Sequence, residues 1–236
     1  MRHPLRKILQ EFGIDVHRYR GEVEPLTYLQ TLGVETILDI GANTGQFARE
    51  IRQLLPRAQI YSFEPIAECY QKLLEVMRGD MRFKAFNTAL GDTEGTTTIH
   101  RSSYSPSSSL LPMQKLHKKL FPHTAGETIE TVTIARLDTI ASELALQEPL
   151  LIKLDVQGYE EHALRGAPET IRKASAILTE ASFVELYEGQ PLFPRIYELL
   201  TAEDFAYQGA LHQKIDPETG QILFEDALFV RDNHTK

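Results

Sequence analysis

Residues 37–47 read ILDIGANTGQF: an apolar run carrying one acid, Asp39, then a loop of small residues with glycines at 41 and 45. The run has the length and composition of a buried strand. Phe47, Ile51, Leu54 and Leu55 follow at the spacing of one helical face. Strand, glycine loop and helix in succession open a parallel α/β unit. Glycine lets the backbone turn where other residues cannot, and lets a ligand come close. The first N–H groups of the helix favour negative charge, such as a carboxylate.

The same alternation runs outward from this stretch. QIYSFEP (59–65) is a second strand, and Ile66, Cys69, Tyr70, Leu73, Leu74 and Met77 lie on a second helix. MRFKAFNTAL (81–90) reads as a third strand. PLLIKLDVQGYE (149–160) is another buried strand, EHALRGAPETIRKA (161–174) is helical with a break at Gly166 and Pro168, and SAILTEAS (175–182) is a further strand. PLFPRIYELLTAEDF (191–205) contains a helix, and the segment from 206 to 232 reads as two strands about a DPETG turn. The fold class is α/β: a Rossmann-like, doubly wound, mostly parallel sheet ending in an antiparallel hairpin.

The alternation breaks at about 91–130, where threonine-rich and serine-rich residues indicate an inserted hairpin and loop. Leu5, Ile8, Leu9 and Phe12 at helical spacing suggest an N-terminal helical lid over 1–35, ahead of the main domain at 36–236. The net charge of −8 argues against a general nucleic-acid binder. One cysteine, Cys69, leaves no internal disulfide or cysteine-rich zinc site; at its helix-face position it reads as core. No run approaches the roughly 18 apolar residues of a membrane span. The N-terminus lacks the features of a signal peptide, so a cytoplasmic protein without an integral membrane segment is expected; a homo-oligomer is allowed.

Doubly wound sheets bind ligands outside the carboxyl ends of their strands. After the first strand stand Asp39, Gly41, Ala42, Asn43 and Gly45. Their G-x-x-x-G spacing departs from the G-x-G-x-x-G of a dinucleotide fold, and no Gly-Lys-Ser/Thr follows to make a P-loop. After the second strand stand Glu64 and Pro65. Glu64 lies 19 residues past Gly45, where an acid accepts hydrogen bonds from ribose hydroxyls. Ala89 and Leu90, after the third, are placed to flank an adenine. Asp155 ends a strand expected beside the first, with Lys153 two residues back on the same face. A charged pair in a buried strand is costly unless it is paired or functional. Glu160 and Glu180 follow near by, and acids at adjacent strand ends could also hold a divalent metal, the less favoured option.

The ordered set LDIGANTGQF, SFEP, NTALGD, SSSL, RLDTI, LIKLDVQGYEEHALRGA and TEASFVELYEG resembles the class I S-adenosylmethionine-dependent methyltransferases, and within them the FkbM-type methyltransferase family. The resemblance spans roughly 36–190. It implies methyl transfer from S-adenosylmethionine, with S-adenosylhomocysteine as product, to a hydroxyl of a sugar, natural product or lipid-linked small molecule. It further implies that Asp39, Gly41, Asn43 and Gly45 line the methionine half of the cofactor, that Glu64 takes the ribose and that Asp155 faces the methyl group or acceptor. The chemistry asks for alignment of a nucleophile with an activated methyl group and a base for the hydroxyl proton.

Asp155 and Lys153 are therefore the catalytic candidates, and Ser108, Ser109, Tyr159, Glu160 and Glu180 the acceptor-side candidates; no metal ligand is assigned. The serines at 102, 103, 105 and 107–109 suit a mobile loop that closes over the acceptor. Met113, Leu116 and Leu120 are read as one helical face, with Lys115, Lys118, Lys119 and His117 elsewhere, a basic island suited to an acidic acceptor. His117, His123 and His212 are the histidines that could relay a proton. Two other readings stay open: a nicotinamide-dependent oxidoreductase, for which Tyr70 and Lys72 lack the four-residue spacing of a dehydrogenase helix, and a non-catalytic nucleoside-binding module.

Overall fold

The computed structural model describes residues 25–232. The expected helix over residues 5–12 lies outside them. A helical turn, α1 (Tyr28–Thr31), leads into the first strand. The parallel units are β1 (Thr36–Ile40), α2 (Gln46–Leu54), β2 (Gln59–Phe63), α3 (Ala67–Val76) and β3 (Phe83–Phe86). Then come β4 (Ala89–Leu90), β5 (Gly95–Ser102), α4 (Lys115–Leu120), β6 (Glu127–Ala135) and α5 (Leu137–Ala141). The second half runs β7 (Leu150–Leu154), α6 (Glu160–Arg165), α7 (Pro168–Lys173), β8 (Ala174–Ser182), α8 (Phe193–Thr201), β9 (Phe205–Ile215) and β10 (Ile222–Arg231).

The main sheet has seven strands in the order β3-β2-β1-β7-β8-β10-β9. The first five are mutually parallel, and β10 runs antiparallel to both β8 and β9. Strand order reverses between β1 and β7, so the crevice of a doubly wound sheet opens there. The apolar runs of the strands are continuous because both faces are covered. Ile37, Ile60 and Leu151 pack with Ala48, Ile51 and Leu73 from α2 and α3 on one side. Leu38, Ile152 and Leu154 pack with Leu164, Ile171, Ile196 and Leu200 from α6, α7 and α8 on the other.

MRFKAFNTAL is not one strand. The chain turns at Asn87, whose Nδ2 donates to the carbonyls of Glu64 and Pro65, both at 2.9 Å. Ala89–Leu90 then leave the main sheet and join a second, three-stranded sheet in the order β4-β6-β5. That sheet buries Ala89, Ile99, Val132 and Ile134 against Ile66 and Cys69. Its antiparallel β5–β6 pair is a hairpin-like arm, in which β6 runs from Glu127 to Ala135. At the far end, the β9–β10 ladder carries three register shifts, between Ile222 and Phe224, Asp226 and Ala227, and Leu228 and Phe229.

Candidate functional site

Register builds the centre of the site. Asp39 on β1 stands beside Ser62 on β2 and Lys153 on β7. Ser62 Oγ donates to Asp39 Oδ2 at 3.0 Å, and Lys153 Nζ lies 3.8 Å from Asp39 Oδ1 and 3.2 Å from Asp155 Oδ2. Asp39 is fully buried, and its Oδ1 has no hydrogen-bond partner among the described residues. Burial raises the Asp39 carboxyl, with Lys153 and Ser62 pulling the other way. Burial also works against the Lys153 charge, but Asp155 and Asp39 outweigh it, so this ammonium is held above the ordinary lysine range.

The glycine loop meets the end of β7. Gly41 has φ +80°, and a Cβ there would lie 1.9 Å from the Asp155 carbonyl oxygen. No other residue fits without moving the backbone. Its N–H and that of Ala42 both donate to the Phe63 carbonyl at 3.0 Å. Asn43, at φ +48°, donates its backbone N–H to Glu64 Oε2, and the Ile66 N–H donates to Oε1, each at 2.8 Å. Burial pushes the Glu64 carboxyl up to about 7 despite those two donors.

A cavity of about 710 Å³ opens above these strand ends. Gly41, Ala42, Asn43, Glu64, Pro65, Ala89 and Leu90 line it, as do Lys153, Asp155, Ser108, Ser109, Tyr159 and Glu180. Three expected residues are elsewhere. Asp39 is buried behind the wall. Gly45 begins α2 at φ +90°, where a Cβ would meet Leu73 at 2.9 Å, so it serves packing. Glu160 is turned into the protein, its Oε1 accepting the N–H groups of Val156 and Gly158 at 3.2 Å. Burial pushes its carboxyl up to about 7.

Other wall residues carry no strand-end signal, His212 being one of the histidines singled out above. Gln157, Glu50, His212 and Asp226 all face the cavity. Asp226 comes from β10, directly opposite Glu180 on β8. Gln157 has φ +54°, a conformation that side chains other than glycine rarely take.

The serine-rich segment is hydrogen-bonded to its surroundings at several points. Ser102 Oγ donates to the Thr124 carbonyl at 2.6 Å, Ser109 Oγ to the Gln157 carbonyl at 2.6 Å, and Ser105 Oγ to Asn43 Oδ1 at 3.2 Å. The basic island does not border the cavity: Lys115, Lys118 and Lys119 are absent from its wall, and Lys118 pairs with Glu127. The face expected on α4 is also displaced. Met113 lies before the helix, in a bridge to Tyr187; Leu116 is exposed, and His117 is the buried residue. His117 packs edge-on against Phe121 and Tyr187, both nitrogens lack partners, and burial pushes its pKa down to about 4. It does not reach the cavity; among the three histidines singled out, His212 does.

Among the described residues, no group of three or more His, Cys, Asp or Glu is arranged to hold a metal ion, and no helix is long and apolar enough to cross a membrane. A bare glycine backbone beside a buried carboxylate at ribose distance does fit a nucleoside bearing an amino-acid tail. The buried Asp39 Oδ1 retains acceptor capacity near the same loop.

A family model described as the methyltransferase FkbM domain matches residues 39–208. The chain is 34% identical over 178 residues to the 2-O-methyltransferase NoeI of Sinorhizobium fredii, covering 73% of each. It is 28% identical to the methyltransferase sdnD of Sordaria araneosa, covering 72% of this chain and 73% of that one. Among solved structures, Aeropyrum pernix fibrillarin with bound S-adenosyl-L-methionine aligns at TM-score 0.48 and 14% identity, covering 83% of this chain and 66% of that one.

Proposed function

The chain belongs to the FkbM family of S-adenosylmethionine-dependent methyltransferases, and on that premise we propose that it methylates a hydroxyl oxygen of a sugar, natural product or lipid-linked small molecule. The observation that carries the reading is Asp155. Its side chain, 38% exposed, lines the cavity, while Lys153 holds one carboxylate oxygen and Gln157 the other. A methyltransferase with a 2-O specificity among its relatives supports oxygen as the acceptor atom.

In this reading the loop Gly41, Ala42 and Asn43 receives the methionine half of the cofactor, with Asp39 behind it. Glu64 accepts the ribose hydroxyls on the lone pairs that its two backbone donors leave free. Ala89 and Leu90 border the adenine, and Ser108, Ser109, Tyr159 and Glu180 the acceptor. The bound cofactor supplies a methyl group already activated by its positive sulfur. Asp155 orients the acceptor hydroxyl and takes its proton as the oxygen–carbon bond forms, then releases that proton to solvent. Lys153, held protonated, stands beside Asp155 and is not the base. Glu160 shapes the loop from inside.

Calorimetry with S-adenosylhomocysteine and with NAD, followed by methyl-labelled S-adenosylmethionine with a panel of free sugars, methyl glycosides and lipid-linked glycans, tests this. The expected result is binding of S-adenosylhomocysteine and a labelled methyl ether. Binding of NAD instead would indicate an oxidoreductase; tight S-adenosylhomocysteine binding with no transfer would indicate a binding module.

A further inference from the structure

Gln157 makes a set of contacts that neither its sequence motif nor the family assignment explains. Its Nε2 donates to Asp155 Oδ1 at 2.7 Å and to Glu180 Oε2 at 3.2 Å. Carboxylates only accept, so the amide nitrogen must face them. Its Oε1 lies 2.8 Å from the Tyr187 hydroxyl, which also lies 3.1 Å from the Ser107 carbonyl and shares its one hydrogen between them. The Gln157 carbonyl accepts from Ser109 Oγ at 2.6 Å. The side chain is thus held at both ends, on a backbone at φ +54° that a non-glycine residue takes at a cost.

Tyr187 is itself fixed. It is 1% exposed, its N–H donates to Gln190 Oε1 at 2.8 Å, and the buried His117 ring lies edge-on at 5.0 Å. The inserted segment therefore touches this arrangement at three points, Ser107, Ser109 and His117. Asp155 and Glu180 face the same cavity, and without a shared donor between them their charges would repel. A single amide answers both, and leaves Asp155 Oδ2 on the Lys153 side.

We propose that Gln157 is a positioning residue, whose amide, aligned by Tyr187, holds the Asp155 carboxylate toward the acceptor and bridges it to Glu180. The proposal rests on the methyl-transfer reading for its consequence, not for its geometry. Strain at an active site persists only where surrounding contacts over-determine it, and here they are present.

The test uses the full chain with Gln157→Leu and Tyr187→Phe. With S-adenosylhomocysteine bound and no acceptor, carbon-13 NMR of the Glu180 carboxyl follows its protonation. Gln157→Leu removes a donor to the anion, so Glu180 takes up its proton at higher pH; Tyr187→Phe moves it the same way by less. With an acceptor, Gln157→Leu lowers kcat about 100-fold and leaves KM within about twofold, as a misplaced group does. Tyr187→Phe lowers kcat about fivefold, the loss of one hydrogen bond. In an Asp155→Asn background, Gln157→Leu adds no further loss, because its effect runs through that carboxylate. A Glu180 titration unchanged in both variants, or losses that multiply in the double variant, overturns the proposal. Should Gln157→Leu not fold, Tyr187→Phe carries the same comparisons. Since the titration needs no acceptor, failure to find methyl transfer is a separate result.

Discussion

Glu180 and Asp226 face each other directly across the antiparallel β8–β10 ladder, and both line the cavity. Burial raises both carboxyls, and the nearby acids add to it: Asp155, Glu160 and Asp226 for Glu180, and Asp155 for Asp226. Asp226→Asn removes one like charge, so Glu180 should take up its proton at lower pH than in the unchanged chain. Carboxyl NMR of the S-adenosylhomocysteine complex reads this directly. No movement would mean the two charges do not sense each other.

Glu64→Ala leaves the N–H groups of Asn43 and Ile66 without acceptors and removes the proposed ribose contact. S-adenosylhomocysteine affinity should fall by about 1–3 kcal/mol, the cost of buried groups left unpaired. Calorimetry on folded variant protein measures it. Undiminished affinity would take Glu64 out of the cofactor site.

Asp155→Asn keeps the shape of the side chain and removes its charge. Turnover should fall by about 100-fold or more if the carboxylate assists proton removal, while S-adenosylhomocysteine affinity stays nearly the same. Initial rates and calorimetry on the same preparation separate the two effects. Retained turnover with a lower melting temperature would make the Lys153–Asp155 pair a purely structural one.

Acid-dependent stability has a definite sign. Glu64 and Glu160 are raised from 4.5 to about 7, so between those values the folded chain holds protons that the unfolded chain releases. Their contribution is fully present below about pH 4.5 and is lost as pH rises through 7. Asp39, Glu180 and Asp226 are raised and act in the same direction. His117 opposes them: it is lowered from 6.5 to about 4, so its contribution is lost as pH falls through that window. The two glutamates outweigh the one imidazole over this window, and the ligand-free protein should melt at lower temperature at pH 7.5 than at pH 5. Glu160→Gln should flatten that fall, and His117→Leu should steepen it. Scanning calorimetry showing melting temperature rising over this range would contradict the assignment.

The strand–loop–helix units were legible because continuous apolar runs, glycine loops and helical spacing agree, from Ile37 to Leu55 and again from Leu150 to Asp155. The break in MRFKAFNTAL was not, since neither glycine nor proline marks it; the turn depends on Asn87 reaching carbonyls of another strand end. The α4 face was misread for a related reason. Gln114, at ψ 155°, is still extended, so Met113 is outside the helical phase that puts His117 inward. The places of Gly41, Ala42, Asn43, Glu64, Pro65, Ala89 and Leu90 on the cavity wall followed from strand ends alone. Gln157 and Asp226 required more: one depends on a left-handed backbone, the other on β10 inserting between β8 and β9, and strand order is not written in a periodicity.

The register shifts along β9–β10 have a consequence for how the protein behaves in company. Among the described residues β9 is the last strand of the sheet, eleven residues long, with one ladder side unpaired. A long edge, were it flat, would invite a strand from another chain and seed aggregation. Each shift bends the ribbon and increases its twist, and Gln213 and Lys214 keep the edge polar and exposed. A straight incoming strand can therefore match only a few residues before losing register, which protects an open sheet margin without covering it.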